Sequence, residues 1–179
     1  METQVHKRHT LRHGRVFDIT VENVTLSNGF TVDLEVIRHP GASAIVPLLE
    51  DNRVLMIKQY RHAVGGSIWE IPAGTFDGKE DPLVCARREL TEETGYVAHH
   101  WDRLGAITPG PGYSDETIHL FLASDMAPSE QTLEADEILE VHPLPIARVV
   151  DMIKEGQIQD AKTISAIFLA LSRRFDMSF

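Results

Sequence analysis

Apolar positions in this chain gather in two kinds of pattern, short runs rich in β-branched residues and longer stretches with helical spacing. Arg15 to Leu26 and Phe30 to Ile37 belong to the first kind and are joined by Ser27-Asn28-Gly29, a strong turn signal, so they predict a hairpin. Ala44 to Leu49 and Val54 to Gln59 predict a second pair around Glu50-Asp51-Asn52. His119 to Ala123 and Ile138 to His142 read as further strands, each followed by proline or small polar residues. Helical spacing appears in three places. Asp81 can cap a helix, Pro82 suits its first position and Gly95 its left-handed exit, with Leu83, Ala86 and Leu90 on one side. Ile146 to Glu155 predicts a second helix. Lys162 to Arg174 predicts a third, in which Ile164, Ile167, Phe168 and Leu171 recur at i, i+3, i+4 and i+7 as a buried stripe. Strands on both sides of a central helix predict a mixed sheet with helices on its faces. Residues 1 to about 12 show no such pattern and are expected to be loosely ordered.

Composition narrows the class. The chain has 179 residues, 42% of them hydrophobic, which is enough for one domain with a full core. A formal net charge of −10 repels a nucleic-acid backbone or an anionic membrane, so neither is expected as the main partner. Cys85 is the single cysteine, which excludes an intramolecular disulfide and a multi-cysteine zinc site. The opening residues are polar and basic, without the apolar run of a secretory signal, and no stretch is apolar for long enough to predict a membrane span. A cytoplasmic location is expected. The nine histidines lack the spacing of a helical pair and stay unassigned.

Candidate chemistry concentrates on the first predicted helix. Glu89, Glu92 and Glu93 stand at i, i+3 and i+4, so they leave one helical face about a turn apart. Like charges at i, i+4 cost roughly 0.2–0.5 kcal/mol, and no lysine or arginine follows any of the three at four residues. Converging hard oxygen ligands suit Mg²⁺ or Mn²⁺, which bind a few carboxylates while recruiting substrate phosphates.

Residues 74–96, GTFDGKEDPLVCARRELTEETGY, resemble the Nudix box, G-x5-E-x7-R-E-U-x-E-E-x-G-U, where U is a bulky aliphatic residue. Gly74, Glu80, Arg88, Glu89, Leu90, Glu92, Glu93 and Gly95 meet its fixed positions; Tyr96 replaces the final aliphatic residue. Trp69-Glu70-Ile71-Pro72-Ala73-Gly74, the run from Pro109 to Glu116 and Pro111 within it resemble the ADP-ribose and ADP-sugar pyrophosphatase branch. So do Gln59-Tyr60-Arg61, Arg38-His39-Pro40-Gly41-Ala42 and Asp160-Ala161-Lys162-Thr163.

That resemblance implies a Nudix fold, an α/β/α sandwich around a mixed β-sheet with an N-terminal β-hairpin. It divides the chain into residues 1–40, a hairpin region contributing to a homodimer, and residues 41–179, the hydrolase domain. It implies Mg²⁺-dependent hydrolysis of a nucleoside diphosphate sugar, ADP-ribose first. Glu89, Glu93 and Glu92 are the implied metal ligands, joined by the main-chain carbonyl of Ala73. Arg88 is implied to orient a box glutamate, and Glu80 either reaches the metals through water or braces the box. Glu137 is the implied general base, with Glu134, Asp136 and Glu140 as competitors. Arg61, then Arg38, are implied phosphate contacts, Phe17 a stacking partner for the base, and Pro111 a branch-specific substrate position. Three other readings stay open: another sugar nucleotide, a dinucleoside polyphosphate as Tyr113 would allow, and an ADP-ribose sensor without hydrolysis.

Overall fold

The computed structural model of the chain describes residues 2–174. It forms two compact units, the first made of residues 2–41 with Thr108–Thr117 and the second of Ala42–Ile107 with residues 118–174.

The first unit is an antiparallel sheet in the order β1-β2-β3, built from β1 (Gln4–His13), β2 (Asp18–Thr25) and β3 (Thr31–Arg38). The expected hairpin is β2 and β3, slightly shorter than the apolar runs. Its turn closes through Gly29 N–H to Leu26 O at 2.8 Å, with Gly29 at φ +85°. The expectation of loose order before residue 13 is corrected, because β1 pairs with β2 along its length with two register shifts. Its backbone groups are satisfied by that ladder, which no side-chain pattern of its own announces. Segment 108–117 is fastened to β3 by Ile37 N–H to Tyr113 O at 2.8 Å and Asp115 N–H to Ile37 O at 3.2 Å.

The second unit carries a four-stranded mixed sheet and a three-stranded antiparallel one. The mixed sheet runs β7-β4-β9-β8, from β7 (Ala73–Thr75), β4 (Ala42–Pro47), β9 (Ile118–Pro128) and β8 (Tyr96–Ile107); β4 and β9 are parallel and the other neighbours antiparallel. The other runs β10-β5-β6, from β10 (Leu139–Pro145), β5 (Arg53–Arg61) and β6 (Gly66–Glu70). The expected pairing of β4 with β5 is therefore corrected. The tight turn at Glu50-Asp51-Asn52 exists, with Asn52 at φ 63°, but beyond a single bridge from Leu48 to Val54 the two strands diverge into different sheets. The helices are α1 (Pro82–Thr94), α2 (Ile146–Lys154) and α3 (Ala161–Arg174).

All six residues of β4 are buried, because the mixed sheet is covered on both faces. Ile45, Phe121 and Ala123 face α1 and pack with Ala86 and Leu90. Ala44, Val46 and Leu120 point the other way, into a larger core with Val54 and Met56 of β5, Val149 and Met152 of α2, and Ala166 and Ile167 of α3. Helix, sheet and helix thus form the expected layers, and the acidic helix lies on the less crowded side. The stripe on α3 is core at Ile167, whereas Phe168 is 44% exposed.

Candidate active site

Local sequence fixes α1 at both ends. Asp81 Oδ1 accepts the Leu83 N–H at 2.9 Å, and Gly95, at φ +71°, donates its N–H to Thr91 O at 2.9 Å. Between these caps the helix buries Cys85, Ala86 and Leu90, and it also buries Glu89 and Glu93.

Burying a carboxylate without partners is unfavourable, so each of these two needs an account. Glu93 is 1% exposed. Its Oε2 accepts the Ala73 N–H at 2.9 Å, while Oε1 is buried with no hydrogen-bond partner among the described residues. Burial first, and the nearby Glu89 charge second, hold its pKa well above the ordinary carboxylate range. Burial also raises Glu89, to about 7, against the opposing pull of Arg88. Gly74 lets the Glu89 carboxylate lie directly on the backbone turn, since a Cβ there would overlap it. Both acids are thus held apart from water in forms that a cation would stabilise.

Arg88 is the hub of the loop and helix. Its Nη1 donates to Glu89 Oε1 at 2.6 Å and Glu92 Oε2 at 3.0 Å; its Nε and Nη2 donate to the two oxygens of Glu80 at 3.2 and 2.9 Å, and Nη2 also to Thr75 O at 3.1 Å. The hydrogen bond to Arg88 keeps the Glu80 pKa below its usual range, and the Glu80 pair in turn raises that of Arg88. Glu80 therefore braces the box. Cys85 lies under the same loop with its Sγ 3.4 Å from Gly74 O, and burial pushes its thiol up to about 12.

Among the described residues no three His, Cys, Asp or Glu side chains are placed together so as to hold a metal ion without moving. Arg88 Nη1 supplies the positive charge shared by Glu89 and Glu92, and drawing them together onto a metal exchanges one cation for another. The donor set still fits a hard divalent ion. It offers carboxylate oxygens from Glu89, Glu92 and Glu93, one of them orphaned, and a Gly74 turn that places Ala73 against Glu93.

Glu137 sits in the acidic loop before β10. That loop is tied to the end of α1 by Ser129 N–H to Gly95 O at 2.7 Å, Thr132 N–H to Glu92 O at 3.0 Å and Gln131 Nε2 to Glu93 O at 2.6 Å. Glu137 Oε2 accepts the Glu134 N–H at 2.8 Å. Its charge adds to the upward shifts of both Glu89 and Glu93, so the structure brings it within electrostatic range of the helix carboxylates.

Arg61, at the end of β5, donates Nε and Nη2 to the two oxygens of buried Glu70 at 3.0 and 2.7 Å, and its Nη1 has no hydrogen bond among the described residues. Its charge also opposes the upward shift of Glu93. Arg38, Phe17 and Pro111 belong to the first unit. Arg38 spends all three guanidinium nitrogens on Glu22 and Asp115, an engagement that a two-point grip on phosphate would have to break. Phe17 is 41% exposed and Pro111 is exposed.

Sequence reasoning did not single out Glu70, Lys162 or Thr163 as parts of the site. Lys162 Nζ donates to Glu70 Oε2 at 2.8 Å, and the Ile71 N–H donates to Thr163 Oγ1 at 2.9 Å. The family-like runs around them were visible, but the contacts join positions 92 apart.

Known proteins resemble this chain in sequence and in fold. Residues 38–167 match the NUDIX domain family. A protein named methanol dehydrogenase activator from Bacillus methanolicus is 39% identical over 168 residues, 93% of this chain and 91% of its own length. An ADP-ribose pyrophosphatase from Bacillus subtilis is 35% identical over 169 residues, again 93% and 91% of the two chains. A crystal structure of an ADP compounds hydrolase superposes with a TM-score of 0.84 at 22% identity, covering 97% of this chain and 94% of the other, and shares the fold.

Proposed function

Because the chain belongs to the NUDIX family, we propose that it hydrolyses the pyrophosphate bond of a nucleoside diphosphate sugar with Mg²⁺, or Mn²⁺ in its place, and that ADP-ribose is its leading substrate. The products are AMP and ribose 5-phosphate. The observation that carries this reading is the buried pair Glu89 and Glu93, with one Glu93 oxygen left without a partner among the described residues. A pyrophosphatase active on ADP-ribose among relatives of nearly equal length supports the substrate class.

Glu89, Glu92 and Glu93 would hold the metal, with the Ala73 carbonyl at their side. The bound ion supplies charge neutralisation on two linked phosphoryl groups and a lowered pKa for water. Arg88 holds Glu89 and Glu92 in register, and Gly74 leaves room for the Glu89 carboxylate. Glu137 accepts the proton of the attacking water at the oxygen that does not bond the Glu134 amide. Arg61 offers Nη1, which has no hydrogen bond among the described residues, to a phosphate oxygen while Glu70 fixes the rest of the guanidinium. Phe17→Ala, Pro111→Ala and Arg38→Lys read whether the first unit takes part in substrate binding.

A hydrolysis panel of ADP-ribose, ADP-glucose, GDP-mannose and diadenosine polyphosphates tests the substrate. The expected outcome is fastest AMP release from ADP-ribose; no release from any of them overturns the reading. Glu93→Gln is expected to weaken Mg²⁺ dependence and activity together. Glu137→Gln is expected to lower kcat by about 10²–10⁴-fold with metal binding kept. A homodimer in the cytoplasm fits the reading, and a gel-filtration mass of one chain would contradict the dimer.

The relative named for methanol dehydrogenase supports a second reading, in which this chain raises the turnover of a methanol dehydrogenase. Mixing the two proteins with and without Glu93→Gln separates the readings: acceleration lost with the variant joins them, and no acceleration leaves hydrolysis alone.

A further inference from the structure

Residues 70–73, the strap that precedes the box, are tied to α3 by a buried link whose members at the start of α3, Asp160, Lys162 and Thr163, have no part in the chemistry described so far. Lys162, 12% exposed at its side chain, donates to Glu70 Oε2 at 2.8 Å and pairs with Asp160 Oδ2 at 3.1 Å. Asp160 Oδ2 also accepts the Thr163 N–H at 3.0 Å and its hydroxyl at 2.6 Å, and Thr163 Oγ1 accepts the Ile71 N–H. Two successive residues of the strap, Glu70 and Ile71, are therefore held by the first turn of α3. The next two are held by β4 and α1: Pro72 O accepts the Ile45 N–H at 2.9 Å, and the Ala73 N–H reaches Glu93.

From this we propose that Lys162 is a positioning residue for substrate binding, acting through Glu70 on Arg61. Glu70 carries one negative charge and faces two cations. Lys162 and Asp160 offset each other, so the Arg61 fork keeps its orientation while its positive charge is not left facing two uncompensated carboxylates. Removing Lys162 leaves Glu70 and Asp160 around Arg61 with an excess negative charge, and Glu70 Oε2 keeps only its bond from Arg61 Nη2, so the pair loses its second anchor. Arg61 then presents Nη1 to an anionic phosphate less favourably. The ligand class is a linked phosphoryl group, and the inference rests on the part of the reading above that has Arg61 bind phosphate, not on the hydrolysis.

Calorimetry with a non-cleavable methylene analogue of ADP-ribose, alongside hydrolysis of ADP-ribose itself, tests it. Lys162→Met should raise the Kd of the analogue and the KM of ADP-ribose by about 10-fold, with kcat changed far less. Lys162→Arg should restore both. In an Arg61→Gln background the same Lys162→Met change should alter Kd by less than about 2-fold, because the effect passes through Arg61. Unchanged binding in Lys162→Met overturns the proposal, as does an equal loss with or without Arg61, which would make Lys162 a direct contact. A loss of kcat alone in folded Lys162→Met, with Kd kept, also overturns it, since that marks a purely structural part. A parent chain that binds the analogue without hydrolysing ADP-ribose sinks the pyrophosphatase reading and leaves this one standing; a parent that binds neither sinks both.

Discussion

Among single residues, Gly74 has the most restricted environment. Its Cα lies so close to the Glu89 carboxylate that an added methyl group must displace it. Gly74→Ala is expected to lower kcat about 100-fold, as small misplacements at a reacting centre do, while circular dichroism stays that of the folded chain; activity within a factor of two of the parent would contradict the placement of Glu89. Glu70 is one of several carboxylates, with Glu22, Glu80 and Asp115, that contribute to acid stability. Burial alone would raise its pKa, but the hydrogen bond from Arg61 and the charges of Arg61 and Lys162 overcome burial and hold it below 4.5. A carboxyl depressed on folding contributes stability above its unfolded pKa and loses it as pH falls through the folded value. Urea midpoints should therefore drop as pH falls below 4.5, and the drop should be smaller in Glu70→Gln. That Glu89, Glu92 and Glu93 share one face of α1 was legible from spacing alone. The anchor of Glu93 on Ala73 was not, because it joins residues 20 apart through a side chain and a backbone amide.

At the scale of elements, α1 was the most legible because its limits are written in adjacent residues. Loss of the Asp81 cap in Asp81→Ala should cost about 1 kcal/mol in urea denaturation. Gly95→Ala should cost about as much or more, because its left-handed φ of +71° is joined by an approach to Gln131 N at 3.2 Å. An Asp81→Ala chain as stable as the parent would mean that the cap is redundant. Strand β1 escaped notice for the opposite reason. Its residues are nearly all exposed, so no apolar face marks it, and its backbone is ordered by pairing with β2 rather than by its own composition. The turn after β4 was read correctly, yet its strands part, because which sheet each joins depends on β9 and β10 far along the chain.

In the larger of the two units, one mixed sheet separates two cores, and substitutions on opposite faces should act independently. Leu90→Ala and Ile167→Ala are each expected to destabilise by about 2–5 kcal/mol, and the double variant by their sum to within about 0.5 kcal/mol. A marked deviation would mean that strain crosses β4 and β9. The layers were foreseeable from helices flanking strands, but the parallel pairing of β4 with β9 was not, since nothing local encodes a partner across so many residues. Sealed beneath the loop of the box, the lone Cys85 thiol has a further use. A thiol-reactive dye can reach it only when the loop lifts from the helix, so the labelling rate of the untouched protein clocks that breathing motion, and magnesium should slow the clock.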